Sequence, residues 1–197
     1  MKKRYAAFLT AAFAAAALSG CGKAKFEPEA SSIYVKKDGT LVSADIESFE
    51  GENYSEDELK TYVEDAVKLY NSEQGAEASA HAEKGETLPV EVESLKVEDG
   101  VASLFLNYET CEDYMEFTGT AGMEEGIADM EKSTVGVMSL EGSFKNADGE
   151  DVPLADVQEK EDYHVVEVDG PVTMQIEGKV QFVSSGVTVD SKNTVTT

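Results

Sequence analysis

Outside its carboxylates the chain offers few side chains for chemistry: two cysteines, Cys21 and Cys111, and two histidines, His81 and His164. Cys111 follows Thr110, where a short helix is predicted to start, with Asp113 at its third position. A helix N-terminus lowers a thiol pKa, but Glu109, Glu112 and Asp113 surround Cys111 with charge that opposes a thiolate. It therefore reads as a small apolar group rather than a nucleophile. His81 stands in a polar stretch with no structured neighbour, and His164 shares a strand face with Val166 and Val168, the setting of a hydrogen-bonded core histidine. Two distant histidines and one cysteine fall short of the closely spaced ligands of a zinc site. No Gly-x-Ser-x-Gly elbow and no Ser-x-x-Lys is present. The glycines of residues 119–126 (GTAGMEEG) lack the Gly-Lys-Ser/Thr of a phosphate loop, and Glu124 and Glu125 would repel the ligand. The sequence thus points to no catalytic residue, no cofactor and no metal ligand of these kinds.

The 40 acidic residues are the remaining resource, because glycosidases and calcium sites are built from carboxylates. An EF-hand register around Gly149 would place Phe144 at its first position and Ala155 at its last, where carboxylates are required. That template fails. Glu150 and Asp151, with Glu159, Glu161 and Asp162, are candidates for a weak surface calcium, a solvated acidic face being the plain alternative. With so many acids, closeness in sequence is no argument for a glycosidase. The chain has no tryptophan, so sugar-stacking platforms would fall to tyrosines such as Tyr34, Tyr108 and Tyr114.

Cys21 stands apart because of what precedes it. Residues 1–4 are a basic start, residues 5–17 an alanine-rich apolar run, and Leu18-Ser19-Gly20 a cleavage region. The run spans roughly 20 Å as helix, against a hydrocarbon core of roughly 30 Å, so it fits a removable signal, cut between Gly20 and Cys21, better than a permanent span. The tetrad Leu18-Ser19-Gly20-Cys21 resembles the lipobox of bacterial lipoproteins at all four positions. The resemblance implies a diacylglyceryl thioether on Cys21, often with a further acyl group on its new amino terminus. Two or three chains anchor durably where one does not. Residues 21–31 then read as the lipidated cysteine and a flexible tether, reaching at most about 35 to 40 Å.

Loss of residues 1–20 removes Lys2, Lys3 and Arg4, the only arginine, leaving 13 basic residues against 40 acidic and taking the net charge from -24 to -27. Such a body repels phosphate backbones and anionic headgroups alike, so nucleic acid is excluded as a partner and membrane contact is left to the lipid.

Residues 32–197 read as a single acidic α+β domain. Asp38-Gly39, Asp99-Gly100 and Asp169-Gly170 each fall between β-branched and aromatic runs, the signature of hairpin turns. The first is expected to pair residues 32–36 with 41–49, the second residues 90–97 with 101–108. In the latter strand Leu104, Leu106 and Tyr108 share one face and Phe105 takes the other, which predicts a central strand. The carboxy-terminal third predicts a β-meander. One long amphipathic helix is predicted over about 55–72, with Ser55 and Glu58 as capping box, Tyr54 and Leu59 as staple, and a buried stripe of Leu59, Tyr62, Val63, Ala66, Val67 and Tyr70. One or two short helices follow, from Thr110 to about Phe117 and around Met123, Ile127 and Met130. Residues 74–87 contain no large apolar side chain and read as an exposed loop.

Residues 33–49, the helix of residues 54–71 and the strand begun by Asp162-Tyr163-His164 resemble uncharacterised lipoproteins of anaerobic Gram-positive gut bacteria. The resemblance implies an outward-facing position on the cell membrane and carries no catalytic residue or substrate. The expected function is a non-catalytic binding or structural domain on the envelope, with a protein or envelope polymer as partner. A carboxylate-dependent envelope hydrolase and a small solute or ion receptor are the alternatives.

Overall fold

The computed structural model describes residues 26–51, 55–120 and 127–197, the side chain of Thr120 excepted. The α+β class is present, with hairpins, a long amphipathic helix and a C-terminal antiparallel sheet. The described chain divides into two compact units. One holds Glu27–Ile33 and the described residues 39–120; the other holds Phe26, Tyr34–Asp38 and residues 127–197.

β1 (Ser32–Val35) begins in the first unit and ends in the second; past the Asp38-Gly39 turn, where Gly39 has φ 103°, the first unit continues with β2 (Leu41–Ser48). Ahead of β1, Ser31 Oγ accepts from Ile46 N at 2.9 Å and donates to Ile46 O at 3.2 Å. Helix α1 (Glu56–Glu73) starts where expected: Ser55 is extended and its hydroxyl accepts from Glu58 N at 3.3 Å, with three acids in the first turn facing the positive helix end. Tyr54, the other half of the expected staple, lies outside the described residues.

Strands β3 (Val90–Glu98) and β4 (Val101–Tyr108) are joined by Asp99 and Gly100, with φ 52° and 78°, as a type I′ turn requires. β4 lies between β2 and β3, the central position its pattern predicts: Leu106 faces Ser43 and Val92, and Leu104 faces Asp45 and Leu95. A bulge between Val92 and Ser94 inserts Glu93, so the core face passes from Val90 and Val92 to Leu95 and Val97 without reversing the strand. Helix α2 (Cys111–Thr120) begins under Thr110, whose hydroxyl accepts from Asp113 N at 3.0 Å and donates to its carboxylate at 2.6 Å. α1 packs on β3, and α2 on β3 and β4, giving a helical layer over one sheet face.

The stretch 74–87 is a largely exposed loop, as expected, but it is held to the body near Ser79 and Ala80. Asn71, fully buried, donates from Nδ2 to Ser79 O at 2.8 Å, and its main-chain carbonyl accepts from Ala76 N at 2.9 Å. Val92 N donates to Ala80 O at 2.9 Å, and Ala80 is only 1% exposed. The buried side chain here is a small alanine, so composition alone gave no sign of it.

In the second unit, β5 (Asp129–Thr134) pairs antiparallel with β8 (His164–Asp169), so Asp169-Gly170 does not close the expected hairpin. The expected helix around Met123, Ile127 and Met130 fails here too: residues 121–126 lie outside the described residues, and Met130 is a buried strand residue facing Val168. Period-two burial of Met130 beside Val168 outweighs a chance helical spacing. β6 (Phe144–Asn146) and β7 (Asp151–Val152) form a hairpin around Asp148-Gly149, where Asn146 Oδ1 accepts from Asp148 N and Glu150 N. A short α3 (Leu154–Gln158) follows. β9 (Thr173–Ile176), β10 (Phe182–Ser184), β11 (Thr188–Ser191) and β12 (Thr194–Thr196) complete the chain; β12 pairs with β9 and β11, while β10 joins β6. Phe144, Val157, Val165, Leu140 and Val135 form one apolar core here.

Phe26 stacks on Tyr34 with ring centres 5.5 Å apart, so the last part of the residue 21–31 stretch is docked at Phe26 and again at Ser31.

Candidate binding groove

Helix α1 carries more apolar positions than one stripe can bury. Val63, Val67 and Tyr70 turn into the core, whereas Tyr62 and Leu69 remain 63% and 60% exposed. Tyr62 therefore leaves the expected buried stripe. With the half-buried Ala66 and with Phe117 of α2, these two side chains floor a groove of about 490 Å³, edged by Asp65 and Glu73. Leaving two large apolar groups in water forgoes about 1.5–3 kcal/mol for each, and such groups gathered in one concavity are typical of a binding surface.

The ground beneath the groove is aromatic and acidic. Phe117 meets Tyr70 edge-on at 5.6 Å and lies 6.1 Å from Tyr108, which in turn meets Tyr114 edge-on at 5.2 Å. The Tyr70 hydroxyl lies 3.1 Å from Asp113 Oδ1 and 3.3 Å from Glu116 Oε2. Burial first, then these two carboxylates, push the Tyr70 pKa far up, so it is a neutral donor bridging α1 to α2. Behind it, Ser43 Oγ donates to Asp45 Oδ2 at 3.1 Å and lies 3.4 Å from the Tyr108 hydroxyl. Burial raises the pKa of Asp45, the Ser43 hydrogen bond offsetting part of the effect and Glu47 adding to it; burial and then Asp45 hold Tyr114 up at about 12. Every group in this network favours its neutral form or accepts hydrogen bonds. Its hydrogen bonds brace α1 against α2.

Of the residues singled out by sequence, Gly20 and Cys21 lie outside the described residues. Cys111 is half-buried in the first turn of α2 beside Glu112 and Asp113. His81 does have structured neighbours: Nδ1 lies 3.1 Å from Val92 O, and Nε2 lies 3.6 Å from Glu64. His164 sits half-buried on β8, its pKa lowered by burial first and then by Lys132 and Lys37. Of the stacking candidates, Tyr34 and Tyr108 are buried and Tyr114 is half-buried, all packed against other rings, whereas among the described residues Tyr62 is an exposed aromatic. Glu150 accepts from Asn146 Nδ2 at 2.9 Å in the hairpin turn. Among the described residues no group of three or more histidine, cysteine or acidic side chains is placed to hold a metal ion, and no helix is long and apolar enough to cross a membrane. Neither Leu69 nor Phe117 was singled out by sequence; the surplus of apolar positions on α1 was the signal for them.

The fold and groove together define an acidic α+β protein with an apolar cleft walled by helices. No protein family, curated protein or solved structure matches the chain.

Proposed function

We propose that this protein is a cell-envelope lipoprotein, held to the outer face of the cell membrane by lipid on Cys21 and displaying an acidic, non-catalytic binding domain. The observation that carries the reading is the leader of residues 1–20 ending in Leu18-Ser19-Gly20-Cys21. The net charge of the processed body supports it, since a surface that repels anionic headgroups needs a covalent anchor to stay at a membrane. The groove on α1 supports the binding role. A carboxylate hydrolase draws less support: Asp113 and Glu116 converge on Tyr70, but Asp113 also receives Thr110 and Glu116 also receives Gln74 Nε2 at 2.9 Å, bonds that tie elements together.

The mass of the amino-terminal peptide from native membranes tests the proposal. Cys21 as first residue, bearing diacylglycerol, is the expected result. A Cys21→Ser variant should be released into the medium or persist as precursor. An unmodified thiol on the native terminus, or processed Cys21→Ser protein still on the membrane, would overturn it.

A further inference from the structure

We propose that the α1 groove seats a basic amphipathic helix of a partner protein, an inference that rests on the reading of this body as a displayed binding domain but not on its lipid. Tyr62, Asp65, Ala66, Leu69, Tyr70 and Glu73 stand at i, i+3, i+4, i+7, i+8 and i+11 of α1. They form one continuous lane of roughly 16 Å, about three helical turns. A partner helix with apolar residues at i, i+3, i+4 and i+7 would lay them on Leu69, Ala66 and Phe117. Its lysines or arginines would then reach Asp65 and Glu73, and a cation could lie over the exposed ring of Tyr62.

Charge selects this occupant over the others. A second copy of a body with net charge -27 would bring acidic rim against acidic rim, and an anionic lipid or nucleic acid would meet the same repulsion. Lys68, beside the lane, is held at 3.4 Å by the partly buried Glu64 and at 3.4 Å by the exposed Asp65, and the exposed contact costs little to exchange for a partner's cation. The processed chain contains no arginine, so a guanidinium fork must come from outside.

The test uses the processed protein in zwitterionic vesicles and a fluorescent peptide of about four turns, with leucines at i, i+3, i+4 and i+7 and lysine or arginine elsewhere. Anisotropy should report saturable binding, and Leu69→Asp should weaken it about tenfold. This variant separates the proposal from plain charge attraction, which an added carboxylate would strengthen. Leu69 is exposed, so circular dichroism should be unchanged; Tyr62→Ser provides a second variant with the same expected loss. Equal binding of a scrambled peptide, or tighter binding to Leu69→Asp, overturns the proposal. So does concentration-dependent dimerisation that Leu69→Asp abolishes. The Cys21→Ser protein should bind the peptide as well as the wild type does, so a failure of lipidation and a failure of the groove give different results.

Discussion

The side-chain amide of Asn71 exchanges a pair of hydrogen bonds with the main chain of Val90: Oδ1 accepts from Val90 N at 3.0 Å, and Nδ2 donates to Val90 O at 2.8 Å. The arrangement imitates a strand partner at the start of β3, supplied from the end of a helix. The second Nδ2 hydrogen goes to Ser79 O, so one buried amide joins α1, β3 and the intervening loop with its donors and its carbonyl all used. Asn71→Asp keeps the shape but replaces two donors by an acceptor facing Val90 O and Ser79 O. Both Asn71→Asp and Asn71→Ala should cost about 3 kcal/mol, the sum of unmade hydrogen bonds and stranded buried groups. Urea denaturation measures the loss; a change under about 1 kcal/mol would show that the clamp is dispensable.

On the β5–β8 ribbon, Asp129 stands directly opposite Asp169, and Glu131 opposite Glu167, all on one face. Like charges facing across strands are destabilising. Burial first, then Glu131, Asp129 and Asp169, raises the Glu167 pKa above its ordinary 4.5. The folded chain therefore holds this proton more tightly than the unfolded chain, and stability falls as pH rises from about 4.5 through the raised folded value. Glu167→Gln should stabilise the protein at neutral pH by about 0.2–1 kcal/mol and flatten that fall. Melting temperatures from pH 4 to 7 compare the two; an unchanged slope in the variant refutes the assignment.

Tyrosines carry the alkaline limit. Tyr34, Tyr70, Tyr108 and Tyr114 all have raised pKa values with burial as the leading cause, and Tyr114 is at about 12. Each contributes stability that is intact below the ordinary phenol value of 10.0 and is lost as pH climbs toward its folded value. Unfolding should steepen above pH 10, and Tyr114→Phe should shift the alkaline midpoint upward. Ultraviolet titration of phenolate alongside circular dichroism would expose an error if these tyrosines ionised while the fold was still intact.

Phe26 stacks on Tyr34 at the first of the described residues and holds the chain there against β1. The stacked pair is worth about 0.5–1.5 kcal/mol beyond its buried area. Phe26→Ala should speed cleavage after Glu29 by a glutamyl endopeptidase several-fold, read by fragment mass, without changing cleavage elsewhere. Equal rates in both proteins would show that the stack does not restrain the chain.

What could be read directly from the order of residues was the set of features whose energetics are local. Asp99-Gly100 tolerates two positive φ angles, Ser55 offers an oxygen three residues ahead of an orphan N–H, and the Leu104, Leu106 and Tyr108 alternation reflects pleat geometry alone. The apolar run of residues 5–17 and the Leu18-Ser19-Gly20-Cys21 tetrad likewise speak through sequence only. Pairings between distant segments were different, because each depends on which of several surfaces buries more. β5 shows little strand character of its own and exists because Met130 can pack with Val168, drawing β8 away from the turn at Gly170. The loop before β3 is pinned because Asn71 reaches Ser79 O and Val92 N reaches Ala80 O. The groove followed from the same competition: α1 has two apolar lanes and one sheet to cover, so burying Val63 and Val67 left Tyr62 and Leu69 in water, a choice that no single helix can make before it meets its partner.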